Sequence, residues 1–176
     1  AKRWFEKGLR QDDLRAQYEY ALLEIDSRDV QQQRHGLQLL REAAFRGDAQ
    51  SEFAYGLIME KGIQDEKGKV IVPADIQETK NMYMLATVNG NGQAQYRLAE
   101  WMARDPISEL SVQEQTYRQK VLRQLYRGAV KQGIMQAELP LAFFEATSPD
   151  IKKREWALRT AQYYAEREHP ELSLIH

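Results

Sequence analysis

The sequence predicts an all-α fold, a right-handed α-α superhelix (solenoid) of about four stacked helix pairs, and three observations carry that prediction. The first is internal repetition. LRAQYEYALLEID from Leu14, AQSEFAYGLIMEK from Ala49, GQAQYRLAEWMAR from Gly92 and MQAELPLAFFEAT from Met135 align with one another. Each has a small residue at Ala16, Ser51, Ala94 or Ala137, and a second one five positions on at Ala21, Gly56, Ala99 or Ala142. The steps between the first small positions are 35, 43 and 43 residues. The second observation is a preceding block that keeps the same phase: LQLLREAAFRGD, KNMYMLATVNGN and LRQLYRGAVKQG carry Ala43, Ala86 and Ala129, each followed four residues later by Gly47, Gly90 or Gly133. In the first copy, KRWFEKGLRQDD, Gly8 takes the small position and Asp12 replaces the glycine. The third is periodicity. Leu37, Leu40 and Ala44, like Leu122, Leu125 and Ala129, recur at +3 and +4 and trace one helical face. One helix pair cannot bury its apolar face alone, so pairs with this signature stack.

Each element follows from local chemistry. A helix is expected from Leu14, and a second through Leu37 to Ala44 that stops at Gly47, where glycine adopts the left-handed C′ conformation cheaply. The next helix starts at Ala49 and runs to a connection over residues 63–74, with Gly68 as its turn and Val70-Ile71-Val72 as the one extended-looking stretch. Asp75 with Glu78 and Ser111 with Glu114 read as capping boxes that open the following second-block helices. The seven extra residues of the long repeat steps fall in the 63–74 connection and in the helix after Ser111. Pro140 is expected to kink the helix from Met135, because it removes the bond to the Gln136 carbonyl. Ser148-Pro149 reads as the start of the last helix, with proline in its first position.

Composition bounds the function. At 176 residues the chain reads as a single domain over 1–176, with repeats at about 1–28, 29–62, 75–105 and 111–147 and a C-terminal helix over 149–168. Hydrophobic residues at 43% can build a core. Lys and Arg number 25 against 26 Asp and Glu, a net charge of −1 that argues against general nucleic-acid binding. The absence of cysteine excludes disulfide scaffolds, zinc fingers and thiol catalysis. No run of about 18 apolar residues is present, so no transmembrane segment is expected. The chain begins at Ala1 rather than Met, as a trimmed or matured chain does.

AQSEFAYGLIMEKG, followed by VPADIQETKNMYMLATVNGNGQAQYRLA, resembles the Sel-one-like repeat, a short cousin of the tetratricopeptide repeat. Ser51, Tyr55-Gly56, Met59 and Gly62 match the family's first helix, and Val72-Pro73-Ala74-Asp75 its approach to the second. Ala43-Ala44-Phe45-Arg46-Gly47 matches the family's helix ending, and Ala86-Thr87-Val88-Asn89-Gly90 matches it more loosely. The two 43-residue steps are longer than the family's period, which implies an irregular solenoid. The resemblance implies an adaptor that holds partner proteins and performs no chemistry, with no cofactor. Within bacteria it points first to a type VI secretion immunity protein that binds and neutralises a phospholipase-type toxin. The alternative is an adaptor in a signalling or envelope-assembly complex. The periplasm is the expected location, with the cytoplasm as the alternative and peripheral membrane contact allowed.

The candidate sites follow. His35, His169 and His176 share no metal-ligand spacing, and no serine sits in a nucleophile-elbow context, so no catalytic or metal site is expected. Tyr18, Phe53 and Tyr96 occupy a shared column that reads either as repeat core or as an inner groove. The matching position in tetratricopeptide-type repeats faces the concave side. On the groove reading the partner-binding face comprises Arg15, Tyr18, Gln50, Gln93, Tyr96, Glu100, Arg104 and Gln136, with residues 96, 100 and 104 at its centre. Trp4, Trp101 and Trp156 read as packing between helices. Lys120, Arg123, Arg127 and Lys131 form a basic stripe on one helix face, either solvated or facing an anionic partner. Val70 and Ile71 lie in the long connection, which either packs over helix ends or projects as a binding loop.

Overall fold

The computed structural model describes residues 13–104 and 110–168. The first block with Trp4, Gly8 and Asp12 lies outside the described residues, as do His169 and His176. Among the described residues there are eight α-helices and one hairpin. They are α1 (Leu14–Ile25), α2 (Val30–Phe45), α3 (Ala49–Lys61), strands β1 (Ile63–Gln64) and β2 (Val70–Val72), α4 (Ile76–Val88), α5 (Gly92–Arg104), α6 (Val112–Lys131), α7 (Glu138–Glu145) and α8 (Ile151–Glu168). Two compact units divide after Ala94, within α5.

The glycine corners form as expected and do more than end a helix. Gly47, Gly90 and Gly133 have φ of 85°, 84° and 79°. At the first, the Gly47 N–H donates to the Ala44 carbonyl and the Asp48 N–H to the Ala43 carbonyl, which is the Schellman pattern. Gly90 with Asn91 and Gly133 with Ile134 repeat it. The residue after the glycine then decides how the next helix begins. The Asp48 carboxylate accepts from the Ser51 N–H at 2.8 Å, and the Asn91 amide oxygen from the Ala94 N–H at 2.9 Å, so one residue closes one helix and caps the next. Ile134 has no such acceptor, and the chain passes instead through a 3-10 turn, Met135–Ala137, before α7.

That turn corrects two expectations. Pro140 does not kink a helix interior: because the α-helix begins only at Glu138, Pro140 falls in its first turn, where its missing N–H would have had no intrahelical partner. Ser148-Pro149 does not open the last helix directly either. Ser148 Oγ accepts from the Asp150 N–H at 3.3 Å, and Asp150 accepts from the Lys152 N–H at 2.9 Å, which moves the start of α8 to Ile151. Ser111 and Glu114 form the reciprocal capping box, and at Asp75 the carboxylate takes the Glu78 N–H at 2.9 Å. As expected, the helix after Ser111 is the long one, at 20 residues.

In the first unit Ala21, Leu40, Ala44, Tyr55, Met59 and Met82 form the core, and Tyr18, Ile58 and Val72 pack against it. Gly56 shows why the second small position is small: a Cβ there would lie 2.8 Å from the Tyr83 ring. In the second unit Ala99, Leu122, Tyr126, Ala129, Ala137 and Leu141 form the core, with Tyr96, Phe144 and Trp156 against it. The 63–74 connection is a hairpin rather than an open loop. β1 and β2 pair antiparallel, Ile63 with Val72 and Gln64 with Val70, around a bulge. Its turn is held by Asp65, whose carboxylate accepts from the Lys67 and Lys69 N–H groups, and by Gly68 at φ 78°.

Candidate functional site

Three of the expected groove residues come together in the first unit. Arg15 and Tyr18 of α1 and Gln50 of α3, joined by Glu19 and Asp48, line a cleft of about 520 Å3. Arg15 and Tyr18 stand three residues apart on α1 and so share a face. Gln50 is presented by the first turn of α3, directly after the Asp48 cap. The Tyr18 ring rests on the core, and its hydroxyl has no hydrogen-bond partner among the described residues. Burial, then the Glu19 and Asp48 carboxylates, hold that hydroxyl above its ordinary pKa, so it remains a donor at neutral pH. The cleft therefore offers a half-buried aromatic ring, a hydrogen-bond donor, an amide and both charge signs.

The other expected groove residues are placed differently. Gln93 and Arg104 are exposed on α5, and Gln136 is exposed in the 3-10 turn. Glu100 is not a free groove carboxylate, because it accepts from the Tyr126 hydroxyl at 2.9 Å. Tyr96 is half-buried on the second core, with its ring centroid 6.4 Å from that of Tyr126. Burial first, then Glu100, raises the Tyr96 pKa. Phe53 packs its ring on Tyr83 at 5.5 Å.

The basic stripe is split. Arg127 pairs with Glu145, whose side chain is only 3% exposed, and Arg123 donates to the Phe144 carbonyl and stands 3.9 Å from the same carboxylate. These two arginines tie α6 to α7 instead of forming a free charged face. Lys120 and Lys131 remain exposed. In the hairpin Val70 is 53% exposed while Ile71 is half-buried, and Val72 packs on the core.

One polar column escaped the sequence reading. The residue just after each first small position is Gln17, Glu52, Gln95 or Glu138. Gln17 donates to the Leu39 carbonyl at 2.8 Å, and Glu52, 2% exposed, accepts from the Asn89 amide at 2.8 and 3.0 Å. Gln95 lies against Gly128, and Glu138 accepts from the Tyr164 hydroxyl at 3.1 Å. Gln17, Glu52 and Glu138 each bond their helix to the following one or its cap. Gln95 only packs on the next helix, its Oε1 buried without a hydrogen-bond partner among the described residues. The signal was present as a Gln/Glu column in the alignment of copies. Among the described residues no group of three or more His, Asp or Glu side chains is placed to hold a metal ion, and no helix is long and apolar enough to cross a membrane.

Helices repeated in one phase, joined by glycine corners and polar clamps, define an all-α repeat protein of the solenoid class. Comparison with known structures gives that class its name. The chain is similar to a Sel1 repeat protein from Oxalobacter formigenes, at a TM-score of 0.63 and 20% identity over 92% of this chain and 63% of that one. It is also similar to a protective antigen of uropathogenic Escherichia coli strains that displays an SLR fold, at a TM-score of 0.60 and 18% identity over 94% of this chain and 33% of the other. The fold is thus the Sel1-type helical repeat, as the sequence resemblance implied. The chain spans under two thirds of the length of either protein. No family model matches the sequence, and no curated protein matches it.

Proposed function

We propose that this chain is a non-catalytic protein-binding module that holds its partner in the α1/α3 cleft. The observation that carries the reading is the convergence of Arg15, Tyr18 and Gln50 on one recess, with the Tyr18 hydroxyl unpartnered among the described residues. A rigid aromatic body with an open donor is the kind of group that anchors protein interfaces. The surrounding Arg15, Glu19 and Asp48 carry both charges, which suits a specific protein surface better than a uniformly charged polymer. On α5, the same reading keeps Tyr96 and Arg104 as contact residues, while Glu100 serves to hold Tyr126.

Within this class we favour an immunity protein of the periplasm that neutralises a phospholipase-type toxin, on the strength of the repeat resemblance. The second reading is an adaptor in signalling or envelope assembly. A pull-down with wild-type and Tyr18→Ala chains, followed by mass spectrometry, tests the module and its cleft together. A partner recovered with the first and lost with the second is expected. Equal recovery with both contradicts the cleft. A recovered toxin against which the chain protects growth on co-expression selects the immunity reading, and an assembly or signalling protein selects the other.

A further inference from the structure

The second unit has a cleft of its own, of about 430 Å3, between α6 and the end of α7. Thr116, Gln119, Lys120 and Arg123 line one wall, and Phe143, Phe144 and Thr147 the other. No acidic side chain is among them, and none occurs anywhere from Gln115 to Ala137. The nearby carboxylate of Glu145 points inward to Arg127 and Arg123. Its charge is thereby matched from below. Lys120 has no ion pair among the described residues, and the Arg123 guanidinium is fixed in orientation by its bond to the Phe144 carbonyl. Beside these cations Phe143 is 74% exposed, an unusual state for so large an apolar ring.

We propose that this cleft docks a short acidic segment of a partner protein that carries one large apolar side chain. Its carboxylates meet Lys120, with the oriented Arg123 guanidinium adding positive charge behind it, while the apolar side chain covers Phe143. Thr116 to Arg123 spans about 10 Å of helix, which accommodates about two turns of a partner helix or three extended residues. The recess shape favours a peptide over a bilayer, which would demand a flat or convex array of apolar and basic groups. The inference is independent of the α1/α3 cleft, since it uses other residues in the other unit.

The test uses the full chain, labelled with 15N, and the N-acetylated, C-amidated peptide Asp-Glu-Asp-Phe-Gly-Asp-Glu-Asp. The control peptide carries lysine at every acidic position. Amide shifts confined to residues 116–123 and 143–147 are expected with the acidic peptide alone, weakening as salt rises. Lys120→Glu should weaken that binding severalfold and Phe143→Ala should abolish it. Both side chains are exposed, so circular dichroism should show both variants folded. Tyr18→Ala should bind the peptide as the wild type does. Equal binding of the lysine peptide, shifts elsewhere, or no shift at millimolar peptide would overturn the proposal. So would sedimentation with phosphatidylglycerol vesicles that depends on Lys120 while the acidic peptide leaves the spectrum unchanged, because the occupant would then be a lipid surface.

Discussion

Glu145 shows how a charged residue can be structural. Its side chain is almost wholly enclosed, and it is held by Arg127 with Arg123 beside it. Removing Arg127 leaves an enclosed carboxylate with only the more distant Arg123, at 3.9 Å, to balance its charge. Arg127→Met is therefore expected to lower stability by about 3 kcal/mol in urea unfolding, at the low end for a broken buried pair because Arg127 is itself partly solvated. Lys120→Met, on the same face but exposed, should change it by less than about 0.5 kcal/mol. Equal effects would show that Glu145 does not depend on the pair. Glu52 gives a pH test. Burial, opposed by the Asn89 hydrogen bond and aided by Asp48, holds its carboxyl above the ordinary value. Between the unfolded pKa and the raised one the folded chain binds more protons, so stability falls as pH rises through that window and is level above it. Glu52→Gln should remove this part of the profile, measured as the urea midpoint from pH about 4 to 8. Parallel profiles for the two chains would contradict the assignment.

At the scale of the element, two devices decide where helices stop and start. The glycine corners were legible because only glycine takes φ near 80° without a Cβ penalty, and three of them recur in phase. The caps at Asp13, Asp29, Asp48 and Asn91 were not singled out, since a lone Asp or Asn without Glu three residues on is a weaker signal than a capping box. Pro140 was misplaced because sequence alignment carried the helix back to Met135, whereas Ile134 cannot cap and the backbone tightens first. Asn91→Ala should thus cost about 1–2 kcal/mol in thermal or urea unfolding, through the lost cap and its 3.1 Å bond to the Ala49 carbonyl. An unchanged midpoint would mean water replaces both bonds. Gly56→Leu should cost at least about 1–3 kcal/mol, because its first side-chain carbon already meets the Tyr83 ring. A wild-type melting temperature would show that α3 and α4 can separate without loss.

For the whole molecule, the repeat was readable because four copies in one phase constrain each other more than any single segment does. The site was less readable. A column in an alignment gives a face, but it does not say which members of that face are used internally. Tyr18 leaves its hydroxyl without a partner among the described residues, whereas Glu100 on the same expected face is taken by Tyr126 and Arg123 by Phe144 and Glu145. Those choices depend on side chains of other helices, which spacing along one helix cannot report. Arg123→Glu consequently tests helix packing more than electrostatic steering, and Lys120 is the residue that probes the charged face.

The most direct measurement of the central claim is site-specific photo-crosslinking of the full chain to its recovered partner. Benzoylphenylalanine is placed either at Gln50, on the rim of the α1/α3 cleft, or at Lys153, exposed on α8. The account predicts a strong crosslink from position 50, lost when Tyr18→Ala is added to the same chain, and little from position 153. A crosslink from position 153 with none from position 50, in chains that remain helical, would place the partner elsewhere and contradict it.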